Sequence, residues 1–171
     1  MCSSDLRVHL ISGTFGKALG GASGGYIAGP KPFIDLLRQR ARPYLFSNAL
    51  APSITAATIE ALDLVAESAD LRDNLTRNAA YFRRGLSAVG FTLTPGEHPI
   101  IPVMIGDAAA AARLAGELQQ RGVYVTAFSY PVVPNGKARI RTQMNAAHTL
   151  ADLDRAIAAF ASAGRAIGLI G

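Results

Sequence analysis

The sequence predicts an α/β chain on three observations: a glycine-rich opening with few helix signals, two consecutive helical stripes between Ser53 and Val89, and strand patterns that alternate with helices from Phe91 onward. The opening gathers Gly13, Gly16, Gly20, Gly21, Gly24 and Gly25 within thirteen residues around Lys17, a loop that something approaches closely. From Ser53 the positions Ile54, Ala57, Thr58, Ala61, Leu62 and Val65 keep helical spacing, and Pro52 stands where a helix start tolerates it. Asp70 is placed to cap a second helix whose stripe runs Leu71, Leu75, Ala79, Phe82, Leu86 and Val89. Gly90 follows where a left-handed stop is expected.

Beyond Gly90 the period shortens. Phe91 to Leu93 and Ile101 to Ile105 read as strands, Asp107 to Gln120 as a helix closed by Gly122, and Val123 to Phe128 as another strand. Ala138 to Gln143 alternates in strand fashion. Thr149 then caps a last helix bearing Leu153, Ala156, Ile157 and Phe160, with Asp152 completing a capping box. The residues from roughly the second helix onward form a small domain, which divides the chain into 1–68 and 69–171.

Composition sets bounds on function. Half of the 171 residues are hydrophobic and 17% are charged, as in ordinary globular proteins. The longest uncharged stretch, between Arg42 and Glu60, holds Pro43, Ser47, Asn48, Pro52 and Ser53, so no membrane span is expected. The first residues, Met1 to Leu6, carry no secretory pattern, and Cys2, the single cysteine, cannot form an intramolecular disulfide; a reduced, cytoplasmic setting is the expectation. The net charge of +5 is scattered except for Arg38, Arg40 and Arg42, so nucleic acid is not an expected partner. His9, His98 and His148 lack metal-ligand spacing, and no metal is expected.

Lys17 is the residue with chemistry in its surroundings. Of three lysines, against fourteen arginines, it alone lies in an uncharged, glycine-rich stretch. Removal from water favours the neutral amine, the form that attacks an aldehyde to make a Schiff base. Glycines on either side let a flat ring and its phosphate approach main-chain N–H groups, and Thr14 offers a hydroxyl to the same phosphate. A phosphorylated aldehyde fits this pattern best. A nucleotide-binding P-loop does not, because Ile11 and Ala18 stand where its first glycine and its magnesium-binding hydroxyl are needed. On composition alone, an ordinary exposed lysine on a tight turn fits about as well.

The segment Thr14-Phe15-Gly16-Lys17-Ala18-Leu19-Gly20-Gly21-Ala22-Ser23 resembles the pyridoxal-phosphate (PLP) attachment pattern of class II aminotransferases and α-oxoamine synthases. Arg42-Pro43-Tyr44-Leu45-Phe46-Ser47-Asn48, and Tyr130-Pro131-Val132-Val133-Pro134 leading into Ala138-Arg139-Ile140-Arg141-Thr142-Gln143-Met144, resemble the glycine-acetylating branch of the α-oxoamine synthase family. Sister enzymes that make 8-amino-7-oxononanoate or 5-aminolevulinate usually carry two threonines where Ser47-Asn48 stands.

The resemblance implies the PLP-dependent transferase fold type I. Residues 1–68 then supply the end of the large cofactor domain and the start of the linking helices, and 69–171 the C-terminal α/β domain. It implies Lys17 as the Schiff-base lysine, Thr14 as a phosphate contact, Phe46 and Ser47 as residues reaching the cofactor phosphate of a neighbouring subunit in a homodimer, and Arg141 as the partner of the substrate carboxylate. Arg139 and Arg141 share one face of a strand, so spacing does not choose between them, and Ser47 could instead cap a local turn. The implied reaction joins glycine and acetyl-CoA to give 2-amino-3-oxobutanoate and coenzyme A, reversibly, as in threonine degradation. The family places its ring-stacking histidine and its pyridine-pairing aspartate well upstream of the lysine, and Asp5 and His9 lie too near Lys17 to stand in for them. The expectation is a truncated chain, its resemblance beginning near Ile11, with weak PLP binding, little activity and exposed apolar surface. The rival expectations are a sister enzyme of the 8-amino-7-oxononanoate synthase type or a non-catalytic, dimerising domain.

Overall fold

The structure, a computed structural model, describes residues 8–20 and 23–171. Cys2, Asp5, Gly21 and Ala22 lie outside the described residues. The chain divides into two compact units, Met1–Ser68 and Ala69–Gly171.

In the first unit, β1 (Ile11–Thr14) and β2 (Gly25–Ala28) pair antiparallel, from Ile11 opposite Ala28 to Thr14 opposite Gly25. Three helices follow: α1 (Lys31–Arg40), α2 (Arg42–Phe46) and α3 (Pro52–Glu67). The sequence reading anticipated only the last. The hairpin escapes it because its strands are four residues long and carry glycine at Gly13 and Gly25, residues with weak strand preference. The backbones approach so closely that a Cβ on Gly25 would lie 2.5 Å from the Gly13 carbonyl oxygen. Helix α1 starts behind Pro30 with Pro32 in its first turn, where the missing N–H has no intrahelical partner to lose. Helix α3 begins at Pro52 as expected, but among the described residues of this unit only Thr58 is buried. Ile59, Leu62, Leu64 and Val65 of α3 are about half exposed.

The second unit has a core. Its elements are α4 (Ala69–Ala88), β3 (Ile100–Gly106), α5 (Ala108–Gln120), β4 (Thr126–Phe128), β5 (Ala138–Gln143) and α6 (Leu150–Ala166). The sheet is antiparallel in the order β3-β5-β4. Ile101 and Val103 of β3 and Ile140 of β5 turn into a core with Phe82 and Leu86 of α4, Leu114 and Leu118 of α5, and Leu153 and Phe160 of α6. Phe160 meets Phe82 and Phe91 edge-on, with ring centroids 6.1 and 5.6 Å apart. Each such side chain contributes roughly 1.5–3 kcal/mol on burial.

Several terminal signals act as the sequence predicts. Gly90 has φ +104°, and Phe91 N–H returns to the Leu86 carbonyl. Thr149 and Asp152 form a reciprocal capping box, and Asp107 caps α5 through Ala110 N–H at 2.7 Å. Other expectations are corrected. Asp70 sits inside the first turn of α4, which starts at Ala69, so it complements the helix dipole and is no cap. Phe91 to Leu93 forms a single bridge, Leu93 to Val103, in place of a strand. The strand expected from Val123 starts only at Thr126, because Val123 N–H is taken by the Leu118 carbonyl at the end of α5.

Candidate active site

In the first unit, Lys17 occupies the turn between β1 and β2. Gly20 N–H donates to the Lys17 carbonyl at 2.9 Å, which closes a tight turn and presents the side chain outward. Lys17 is exposed, so the removal from water expected of it is not met within this chain, and its amine has no hydrogen-bond or ion-pair partner among the described residues. Thr14 ends β1 three residues earlier. Its hydroxyl accepts from Gly16 N–H at 3.3 Å and donates to the Gly24 carbonyl at 3.4 Å, two long contacts that a stronger acceptor could displace. The Tyr26 ring stacks on Phe15 at 5.6 Å and lies over Gly13, where a Cβ would meet it at 2.5 Å.

Phe46 and Ser47 stand at the end of α2 and just beyond it. Phe46 is its last residue and 79% exposed, with the Arg42 guanidinium carbon 5.8 Å from the ring centroid. Ser47 is extended (φ −96°, ψ 154°) and exposed, and its hydroxyl bonds to no described residue, so it does not cap a local turn among them. Of these four residues of one unit, Lys17 and Ser47 have no side-chain partner among the described residues, Thr14 is held by two long contacts, and Phe46 meets only Arg42.

Arg141 belongs to the second unit. It lies on β5 with Arg139 and Gln143 on one sheet face, while Ala138, Ile140 and Thr142 turn into the core. The two arginines differ in their surroundings. Arg139 Nε donates to the Lys137 carbonyl at 3.2 Å. Arg141 makes no hydrogen bond or ion pair with a described residue; its guanidinium carbon sits 4.8 Å from the Phe128 ring centroid. Arg141 also lines a cavity of about 780 Å3 with Arg121, Tyr124, Thr126, His148 and Arg155. Two of these cations are already paired, Arg121 with Glu117 and Arg155 with Asp152. Of the three arginines in this lining, Arg141 is therefore the one without an acidic partner among the described residues, and a guanidinium can bind a carboxylate through two parallel N–H groups.

Sequence reasoning missed Phe128. The signal was available, since Phe128 and Thr126 share the strand parity that places them on the face of Arg139 and Arg141 once β4 pairs with β5. Among the described residues no group of three or more His, Cys, Asp or Glu could hold a metal ion, and no helix is long and apolar enough to cross a membrane.

The family model for aminotransferase class I and II matches residues 4–160, which corrects the expectation that residues 1–9 lie outside the family: the match takes in 4–9. The 2-amino-3-ketobutyrate coenzyme A ligase of Salmonella typhimurium is 58% identical over 164 residues, 96% of this chain and 41% of its own length. The 8-amino-7-oxononanoate synthase of Symbiobacterium thermophilum is 43% identical over 166 residues, 97% of this chain and 42% of its own. A high-resolution structure of SPT with PLP internal aldimine superimposes with TM-score 0.91 at 31% identity, over 98% of this chain and 42% of that one. The chain spans about two fifths of the length of these relatives.

Proposed function

The chain belongs to the aminotransferase class I and II family, and from that premise we propose that it serves PLP-dependent acyl transfer between glycine and acetyl-CoA, giving 2-amino-3-oxobutanoate and coenzyme A. The observation that carries this reading is the place of Lys17, without a partner among the described residues, on a glycine-lined turn three residues from a hydroxyl, within the stretch that the family model matches. The identity of 58% to the Salmonella ligase, against 43% to the oxononanoate synthase, supports acetyl transfer over the sister reaction. Ser47-Asn48, in place of paired threonines, supports the same choice.

The residues present suit the cofactor. Lys17 would hold it through Nζ, and Thr14, whose hydroxyl is engaged only at 3.3 and 3.4 Å, would donate to its phosphate. When bound, PLP supplies an aldehyde for amine capture and a pyridine ring that takes up the electron pair left by loss of an α-proton. Lys17 Nζ, once released, is the group of this chain able to accept that proton and return it. Arg141 would bind and orient the glycine carboxylate, its N–H groups unspent on protein partners. Phe46 and Ser47, both exposed, suit contact with the cofactor phosphate of a second copy in a homodimer. The product chemistry suits threonine degradation, and the bacterial ligases among the relatives suit a cytoplasmic setting.

The test is titration of the purified chain with PLP, borohydride reduction and peptide mapping. Selective reduction onto Lys17, with Lys31 and Lys137 untouched, is expected. Equal labelling of all three lysines would reduce Lys17 to an ordinary surface amine.

A further inference from the structure

We propose that Phe128 is a positioning residue for Arg141, holding its guanidinium over the ring face so that the N–H groups stay available to a carboxylate. The proposal deepens the reading of Arg141 given above and rests on it. The geometry begins with register. Thr126 pairs with Arg141 and Phe128 with Arg139, so Phe128 is the diagonal neighbour of Arg141 on the same sheet face. That diagonal is within reach of an aromatic ring and a long side chain. The guanidinium carbon lies 4.8 Å from the ring centroid, inside the range of cation–π attraction, whereas Arg139, directly opposite the ring, bonds to the Lys137 carbonyl.

A ring satisfies an arginine differently from a carboxylate. It attracts the cation through its π face and takes up no N–H donor in the guanidinium plane, so the fork stays available to a ligand. An arginine with its other rotamers open would lose much of its side-chain freedom on gripping a small carboxylate. Contact with the Phe128 ring removes part of that loss beforehand. The Asp and Glu carboxylates nearest the cavity are already committed, Asp152 to Arg155 and Glu117 to Arg121, and neither pairs with Arg141.

The test uses the whole chain with PLP present, glycine as the probe, and the variants F128L, F128Y and R141Q. The Arg141 Nε–Hε resonance, assigned by its absence in R141Q, reports ring proximity directly and independently of any ligand. In wild type it is expected upfield through the ring current, near its unstacked position in F128L, and restored in F128Y. Glycine affinity should fall about three- to tenfold in F128L, recover in F128Y, and fall furthest in R141Q. An Arg141 resonance that does not move in F128L would overturn the proposal, and so would unchanged glycine affinity in F128L alongside its loss in R141Q. Unchanged glycine affinity in R141Q would instead remove the carboxylate role of Arg141 itself. F128L keeps the residue apolar and close in size, and an unchanged melting temperature in F128L and F128Y separates positioning from folding.

Discussion

The side-chain amide of Asn78, on α4, donates to the backbone carbonyls of Asn145 and His148 at 3.0 and 2.9 Å. One buried side chain thereby fixes both ends of the turn that leads from β5, the strand of Arg141, into α6. Replacing Asn78 by Ala leaves two part-buried carbonyls short of a donor. The expected loss is about 1–3 kcal/mol in urea unfolding. A change within experimental error would mean that water takes over both carbonyls.

Asp152 makes a pH-dependent contribution at the start of α6. Its carboxylate accepts from the Thr149 hydroxyl and backbone N–H and pairs with Arg155, which together lower its pKa from 3.8 to about 2. A depressed folded-state pKa gives stability that is fully present above the unfolded value and is lost as pH falls through the folded one. The melting temperature of D152A should therefore lie below wild type at neutral pH, and the gap should close between about pH 4 and pH 2. A constant gap across that window would assign the loss to the side chain's packing and remove its charge from the account.

Lys17 should be dispensable for folding and required for labelling. Because it is exposed and without a partner among the described residues, K17R is expected to leave the melting temperature unchanged while abolishing borohydride-stable PLP incorporation at that position. Incorporation that moves to Lys31 or Lys137 at wild-type yield would indicate non-selective modification.

Gly25 tests the hairpin beneath that lysine. A Cβ there would approach the Gly13 carbonyl oxygen to 2.5 Å, and a backbone atom yields only if the strands separate. G25A should reduce labelling of Lys17 several-fold without moving the main unfolding transition, whose core lies in Ala69–Gly171. Wild-type labelling in G25A would show that the pairing of β1 with β2 does not matter for presenting Lys17.

The second unit was the more legible in the sequence because its signals are local and act locally. Thr149 with Asp152, Asp107, Gly90 and Gly122 stop or start helices through contacts within a few residues, and Ile101, Val103 and Ile140 alternate cleanly. The exceptions were decided by competing partners, as when Leu118 claimed the Val123 N–H. In the first unit, the stripe on α3 predicts which side is apolar but says nothing about what covers it. Strands as short as Ile11–Thr14, broken by glycine, carry too little periodicity to read. For the candidate site, chemistry at Lys17 was visible from its surroundings. The choice of Arg141 over Arg139 needed either the family pattern or the tertiary register that sets Phe128 beside it.

The contrast in burial between the units implies an uneven distribution of protection against solvent exchange. Amides of β3, β5 and α6 share one cooperative core and should exchange only on its global opening, in hours or longer. Those of α3, with Thr58 alone sheltered, have little apolar burial to offset the entropy of an ordered backbone. They should exchange orders of magnitude sooner. Helix α3 would then gain most of its order from whatever covers it, so that the slow amides report the scaffold and the fast ones report occupancy of that face.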